Sequence, residues 1–264
     1  MASLRTVVTA LLLLAIAATA PAQGTGMKKR RPRPDEFGNV VMNTASERNG
    51  MAPVAFSHWL HRSRYTCRLC HVDIGFAMQA NDTAIREEDN RRGLYCGACH
   101  NGRTAFAVQA PKSAAGGADK TCDRCHSVGR EIVPQFDFAA VTAGFPRGRF
   151  GNNVDWELAE NEGRIKLVDT LPEVSVKRKP LAIPQDYSIE AKINGLPEII
   201  FSHRKHAIWN GCELCHPDVY AVKAGTTKYS MQDVFGGKFC GLCHGSVAFP
   251  AIDCQRCHVK PVAQ

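Results

Sequence analysis

Cys67 and Cys70 are followed directly by His71, and the same arrangement occurs five more times. The other units are Cys96/Cys99 with His100, Cys122/Cys125 with His126, Cys212/Cys215 with His216, Cys240/Cys243 with His244, and Cys254/Cys257 with His258. All twelve cysteines are used in this way. On a helical turn positions i and i+3 share a face, so both sulfurs of a unit can reach the two vinyl groups of one porphyrin. The next histidine then faces the iron as its proximal ligand. C-x-x-C-H is accordingly the attachment signature of c-type heme. Zinc sites and redox dithiols also use C-x-x-C, and an exported chain rich in cysteine suggests disulfides. None of these chemistries requires a histidine at one offset six times. The implied cofactor is heme c, six copies, covalently attached.

The chain has ten histidines. The four outside these units are His58 and His61 in FSHWLH and His203 and His206 in FSHRKH, each pair just ahead of a cysteine pair. They are the expected distal ligands. Spacing i, i+3 puts both rings on one side of a helical turn, so one turn can serve two hemes. Four distal histidines leave one heme in each half without a second ligand. Methionine is the usual substitute. Met231 stands nine residues ahead of Cys240, and Ser230-Met231-Gln232-Asp233 predicts the capped first turn of a short helix ending at Gly236-Gly237. A core methionine is the other reading of Met231. In the first half the equivalent position holds Glu87, a poor iron ligand. Met78, in GFAMQA, is the nearest remaining thioether; otherwise that sixth position is open or filled by another group.

Segments that position these residues divide the 264-residue chain as follows. Residues 1–22 read as a signal peptide, with Arg5, the apolar run Val7 to Thr19 and an A-x-A site at Ala20-Pro21-Ala22. The run is short of the roughly 20 residues of a spanning helix, so the mature chain is expected to be exported and soluble. Residues 23–55 form an N-terminal segment, 56–128 a first triheme domain, 129–199 a connection and 200–264 a second triheme domain. Lys28 to Arg33 carry five basic residues and read as a basic arm rather than a nucleic-acid site. The formal charge of +8 omits the heme propionates, which bring the loaded protein near neutrality. With roughly 40 residues per heme, the hemes must pack closely and form much of the interior themselves.

The halves are an internal repeat. His58, His61, Cys67 and His71 match His203, His206, Cys212 and His216 at one constant offset, and Ala105-Phe106 after the second unit matches Ala248-Phe249. The first half carries an extra, exposed loop within QAPKSAAGGADK. Upstream, FGNVVMNTASERNG (Phe37 to Gly50) resembles FGNNVDWELAENEG (Phe150 to Gly163). The second copy predicts a short helix from about Trp156 to Gly163, followed by an extended connection with short strands. No chemistry is assigned to these segments.

F-S-H-x-x-H, then C-x-x-C-H, then M-x(5)-G-x-x-C-G-x-C-H with a following A-F, then a last C-x-x-C-H resembles the triheme domain of cytochrome c-seven type, a unit also found in tandem. The likeness covers Phe56 to His126 and Phe201 to His258. It implies a multiheme cytochrome c fold of short α-helices and irregular chain around closely packed hemes, with minor β structure. It implies that His58 and His203 cap the hemes of His71 and His216, and that His61 and His206 cap those of His100 and His244. The hemes of His126 and His258 would take a ligand from just before the second unit, where Met231 fits and Glu87 departs from the pattern.

The resulting expectation is a periplasmic or extracellular hexaheme electron carrier or conduit, not an enzyme. It would work between a membrane-side donor and an outer acceptor protein, in association with an outer-membrane conduit or in anaerobic respiration. The alternative is a reductase of a small oxyanion or nitrogen compound. That needs an open iron, for which the His126 heme is the candidate, and binding groups such as Arg86, Arg91 and Arg92 near Glu87.

Overall fold

In each half the chain enters its F-S-H motif along a strand. The computed structural model describes residues 31–108, 121–130, 135–191, 193 and 195–260. The signal-like stretch 1–22, Lys28 to Arg30 of the basic arm and the whole QAPKSAAGGADK loop lie outside the described residues. Strand β1 (Asn39–Met42) pairs antiparallel with β2 (Val54–Ser57), Val40 opposite Phe56. Strand β3 (Tyr187–Ile189) pairs in the same sense with β4 (Glu198–Phe201), Tyr187 opposite Phe201, and β4 also pairs with β5 (His258–Lys260). Ser57 and Ser202 then turn each chain from strand into helix with nearly the same backbone angles, starting the helices His58–Arg62 and His203–Asn210.

The two FGN segments have the same local form. Gly38 and Gly151 both take positive φ, a helix follows in each (Thr44–Arg48 and Trp156–Asn161), and Gly50 and Gly163 close them, again at positive φ. Their roles differ. The first copy supplies β1, the partner of the first F-S-H strand, whereas the second F-S-H strand is paired by Tyr187–Ile189 of the connection. Val40 favours a strand, whereas Asn153 at the matching position takes φ 57° and favours a turn. The second copy instead folds onto the first: Asn152 Nδ2 donates to the carbonyls of Pro34 (2.6 Å) and Phe37 (2.9 Å).

The side chain of Asp155 caps the helix Trp156–Asn161, and that helix delivers Trp156 and Ala159 to a core with Trp59, Val154 and Ile165. A helix the sequence did not announce, Phe138–Thr142, is capped by Asp137 and sets Phe138 edge-on against Trp59 at 5.0 Å. Among the described residues only seven hydrophobic side chains are buried. A chain of this size ordinarily buries a far larger set. The missing core volume is a cavity of about 1500 Å³ whose walls come from both halves. That exceeds the roughly 300–1,000 Å³ of a pocket for one small ligand. None of the helices is long and apolar enough to cross a membrane, among the described residues.

Candidate heme sites

Each C-x-x-C-H unit winds into about one turn. The histidine N–H donates to the carbonyl of the first cysteine in the units of His100 (2.8 Å), His126 (2.9 Å), His216 (3.0 Å) and His244 (2.9 Å). The first unit runs into a wider π-type turn, Leu69–Asp73, and the last begins in a 3₁₀ turn, Cys254–Arg256. All twelve sulfurs are unbridged. No group of three or more His, Cys, Asp or Glu side chains is arranged to hold a metal ion, among the described residues. A structural zinc needs about four such donors, whereas a porphyrin fills four positions of its own iron and asks the protein for one or two axial ligands.

Every one of the ten histidines turns Nδ1 to a backbone carbonyl. For the six that follow cysteine pairs, the acceptors are Phe76 (2.9 Å from His71), Phe106 (3.2 Å from His100), Ala52 (2.7 Å from His126), Tyr220 (2.7 Å from His216), Phe249 (2.9 Å from His244) and Pro197 (2.7 Å from His258). His58 donates to Gly38 O (2.7 Å), one residue before β1, and His203 to Gln185 O (3.1 Å), two residues before β3. His61 and His206 donate back to Ser57 O (3.0 Å) and Ser202 O (2.8 Å). A proton held on Nδ1 leaves the Nε2 lone pair free, the form in which imidazole binds a metal. Gly38 thus gives the first FGN segment, to which the sequence alone assigned no chemistry, a part in the site.

Three of the expected pairs face each other. Ring centroids are 6.4 Å apart for His58 and His71, with planes 8° from parallel, 6.4 Å for His61 and His100, and 6.2 Å for His206 and His244. Two imidazoles on opposite sides of one metal, each bonded at about 2 Å, have centroids about 6.3 Å apart. The pair His203 and His216 is not among the ring contacts of the described residues; His203 lies against Tyr187 and Phe201 instead. Burial pushes His58 and His244 down to about 4 and also lowers His61, His71, His100 and His206. All six are therefore neutral near pH 7, as ligation requires.

Several positioning residues carry no iron chemistry of their own. Phe56 lies 4.8 Å from the His58 ring and 4.3 Å from His61; Phe201 repeats this at 4.9 Å from His203 and 4.4 Å from His206. The Ala-Phe pairs supply Phe106 and Phe249, each 4.3 Å from the histidine whose proton its carbonyl accepts. Arg124 and Arg256, from the third unit of each half, lie over those same rings at 3.5 and 4.8 Å. A shared C-x-R-C in both third units was the available signal for them.

The helix Met231–Phe235 forms as expected, with Ser230 and Asp233 closing a capping box. Met231 is 40% exposed. Met231, Met78 and His258 all line the cavity; His126 is not among its described lining residues and is held by Ala52 O with Ser46 Oγ nearby. Glu87 starts the helix Glu87–Arg91 and pairs with Arg91, while Arg92 pairs with Glu88.

A family model for cytochrome c7 and related cytochrome c matches residues 54–127 and 199–259. No curated protein matches. Among solved structures, the C-terminal hexaheme fragment of GSU1996 is 25% identical with a TM-score of 0.26, covering 84% of this chain and 96% of that one. The dodecaheme cytochrome c GSU1996 is 24% identical with a TM-score of 0.27, covering 85% and 75%. A c7-type three-heme cytochrome domain is 32% identical with a TM-score of 0.27, covering 34% and 91%. TM-scores this low describe no shared global arrangement, so the assignment rests on the two family matches. Those matches span just over half of the chain and contain all six C-x-x-C-H units and both F-S-H-x-x-H motifs, and the chain belongs to the family of cytochrome c7 and related cytochrome c, the multiheme electron-transport cytochromes, in two tandem copies.

Proposed function

We propose that this cytochrome is a hexaheme electron carrier of the periplasm or cell exterior, working between a membrane-side donor protein and an outer acceptor. The observation that carries the reading is the uniform setting of ten histidines, each with Nδ1 committed to a carbonyl and Nε2 left free. Six would be proximal ligands, and His58, His61, His203 and His206 distal ones, with Met231 as sixth ligand for the His258 site. Bound heme c supplies one-electron exchange between ferrous and ferric iron. The chain's own residues hold and orient the macrocycles, exclude water through the shared interior, and set potentials through axial-ligand type and burial. No acid, base or nucleophile is needed. The export reading rests on the leader-like residues 1–22.

Reduction of a small oxyanion at the His126 site would need free cations beside it. Arg91 and Arg92 are exposed on their helix and engaged with Glu87 and Glu88, which favours the carrier.

Electron paramagnetic resonance of the purified holoprotein, with carbon monoxide added to the reduced form, tests the proposal. A carrier is expected to have low-spin iron at the histidine-paired sites and no carbon monoxide adduct there. A high-spin signal from about one iron in six with a matching adduct would identify an open His126 site and move the reductase reading forward. High-spin iron at most sites would overturn the assignment of the distal histidines.

A further inference from the structure

Tyr220 takes part in two C-x-x-C-H units at once. Its carbonyl accepts the Nδ1 proton of His216 at 2.7 Å, and its hydroxyl lies 3.1 Å from Sγ of Cys240. His216 closes the first unit of the second half, and Cys240 opens the second. The Tyr220 ring is flanked by Tyr229 and Phe239, each with its centroid 5.8 Å away, and those two rings stack on each other at 5.2 Å. All three aromatic side chains and Cys240 line the cavity.

The first half builds the same link with the two residue types exchanged. Phe76, whose carbonyl accepts from His71 at 2.9 Å, lies 5.7 Å from Tyr95. Tyr95 stands directly before Cys96, as Phe239 stands directly before Cys240. Both take positive φ, 47° and 53°, which a bulky residue keeps only where its surroundings hold it there. In each half, then, a strained backbone turns an aromatic ring of the second unit onto the residue that holds the proximal histidine of the first. The carbonyl-bearing partner has a hydroxyl in the second half only; Phe76 has none to offer Cys96. A thiol can donate or accept, so a free Cys240 leaves the direction of its bond to Tyr220 open. A sulfur joined to heme as a thioether has no hydrogen, so Tyr220 is then the donor and the sulfur the acceptor.

We propose that Tyr220 is a positioning residue shared by two heme sites, orienting His216 through its carbonyl and donating its hydroxyl proton to the Cys240 sulfur of the next site. The proposal rests on reading the units of His216 and His244 as heme sites. The hydroxyl turns the positive end of its dipole toward the edge of the group that Cys240 carries. A positive dipole there favours the form with the extra electron and raises the reduction potential. The His100 site receives no such bond from Phe76, so Tyr220 makes the two repeats electrically unequal at their second units.

The test is Y220F in the fully loaded protein, which removes the hydroxyl and keeps the ring and the carbonyl that holds His216. Heme content is read by intact mass, spin state by electron paramagnetic resonance and individual potentials by a redox titration followed by nuclear magnetic resonance. Y220F is expected to keep its hemes and wild-type spin states while the potential of the His244 heme falls by about threefold in the reduction equilibrium, about 28 mV at roughly 59 mV per tenfold for one electron. The His100 heme should not move. Unchanged potentials, one uniform shift of all hemes, or a largest shift at any heme other than that of His244 would overturn the proposal. If Y220F does not load, a crystal structure of the wild-type holoprotein decides: Tyr220 Oη within hydrogen-bonding distance of Cys240 Sγ supports the proposal, and a longer separation overturns it. Failure of the heme-site reading itself is separate, because it would appear as missing heme mass or high-spin iron in the wild type.

Discussion

Phe56 and Phe201 each touch both histidines of their motif, edge-on to the first ring and close to face-on to the second. The F of F-S-H-x-x-H is therefore a wedge that holds two imidazoles apart at a set angle. Phe56 is only half-buried, so F56A should cost about 2 kcal/mol, below the roughly 3–5 kcal/mol of a fully buried phenylalanine. With the wedge gone, His58 and His61 should loosen, and reduced F56A should bind carbon monoxide at up to two hemes while the His203 and His206 sites stay closed. Denaturant midpoints and carbon monoxide difference spectra measure both effects; an F56A protein as closed as the wild type would refute the wedge. The ten histidines were legible in the sequence because their spacing to cysteine and serine is local. Their hydrogen-bond acceptors were not. A main-chain carbonyl has no residue identity, and Ala52 or Pro197 reaches His126 or His258 only through tertiary folding.

Elements whose start and stop signals sit within one turn were read correctly, as with the helix Met231–Phe235 behind Ser230 and the helix from Trp156 behind Asp155. Strand partners were harder. That β1 serves the first F-S-H while Tyr187–Ile189 serves the second depends on contacts distant in sequence, and the FGN likeness pointed to a different equivalence. Nor did spacing reveal why glycine follows the first cysteine of both second units. A Cβ at Gly97 would lie 1.9 Å from Asn90 O, and one at Gly241 would lie 1.9 Å from Val234 O. The preceding helix rests directly on the unit's backbone, and this contact sets where the helix that carries Glu87 or Met231 stands relative to the C-x-x-C-H unit. Relieving such an overlap means moving a helix, so G97A and G241A should each cost about 1–3 kcal/mol, as overpacked sites do. If Met231 is the sixth ligand at the His258 site, G241A should also weaken the thioether-to-iron charge-transfer band, as M231L would abolish it. A G241A protein with wild-type stability and spectrum would mean that the helix yields without consequence.

The two halves are joined by more than the connection between them. Arg68, between the cysteines of the first unit, bonds Asp73 through two oxygens (3.1 and 3.2 Å) and Asp169 of the connection (2.8 Å). Arg178 continues the chain from Asp73 (2.7 Å) to Glu213 (3.2 Å), which lies between the cysteines of the first unit of the other half. Gly211 leaves room for the Arg68 stem, since a Cβ there would be 2.4 Å from Arg68 Cδ. The first units of both repeats are thus clamped to one connection, and Arg33–Gln264 forms one compact unit. The clamp is driest at its centre, with the Asp73 side chain 1% exposed and that of Arg68 7%. Removing one partner from a buried pair leaves the other charge uncompensated and costs about 3–5 kcal/mol, whereas exposed pairs are worth about 0–1 kcal/mol. D73N, which keeps the shape and removes the charge, should therefore lower stability by about 3 kcal/mol. E213Q, at the wet end, should cost less than about 1 kcal/mol. Because both first units share the clamp, D73N should move a single cooperative unfolding transition to lower denaturant. If D73N instead unfolds one repeat while the other keeps its midpoint, the repeats are independent units and the clamp is not what couples them.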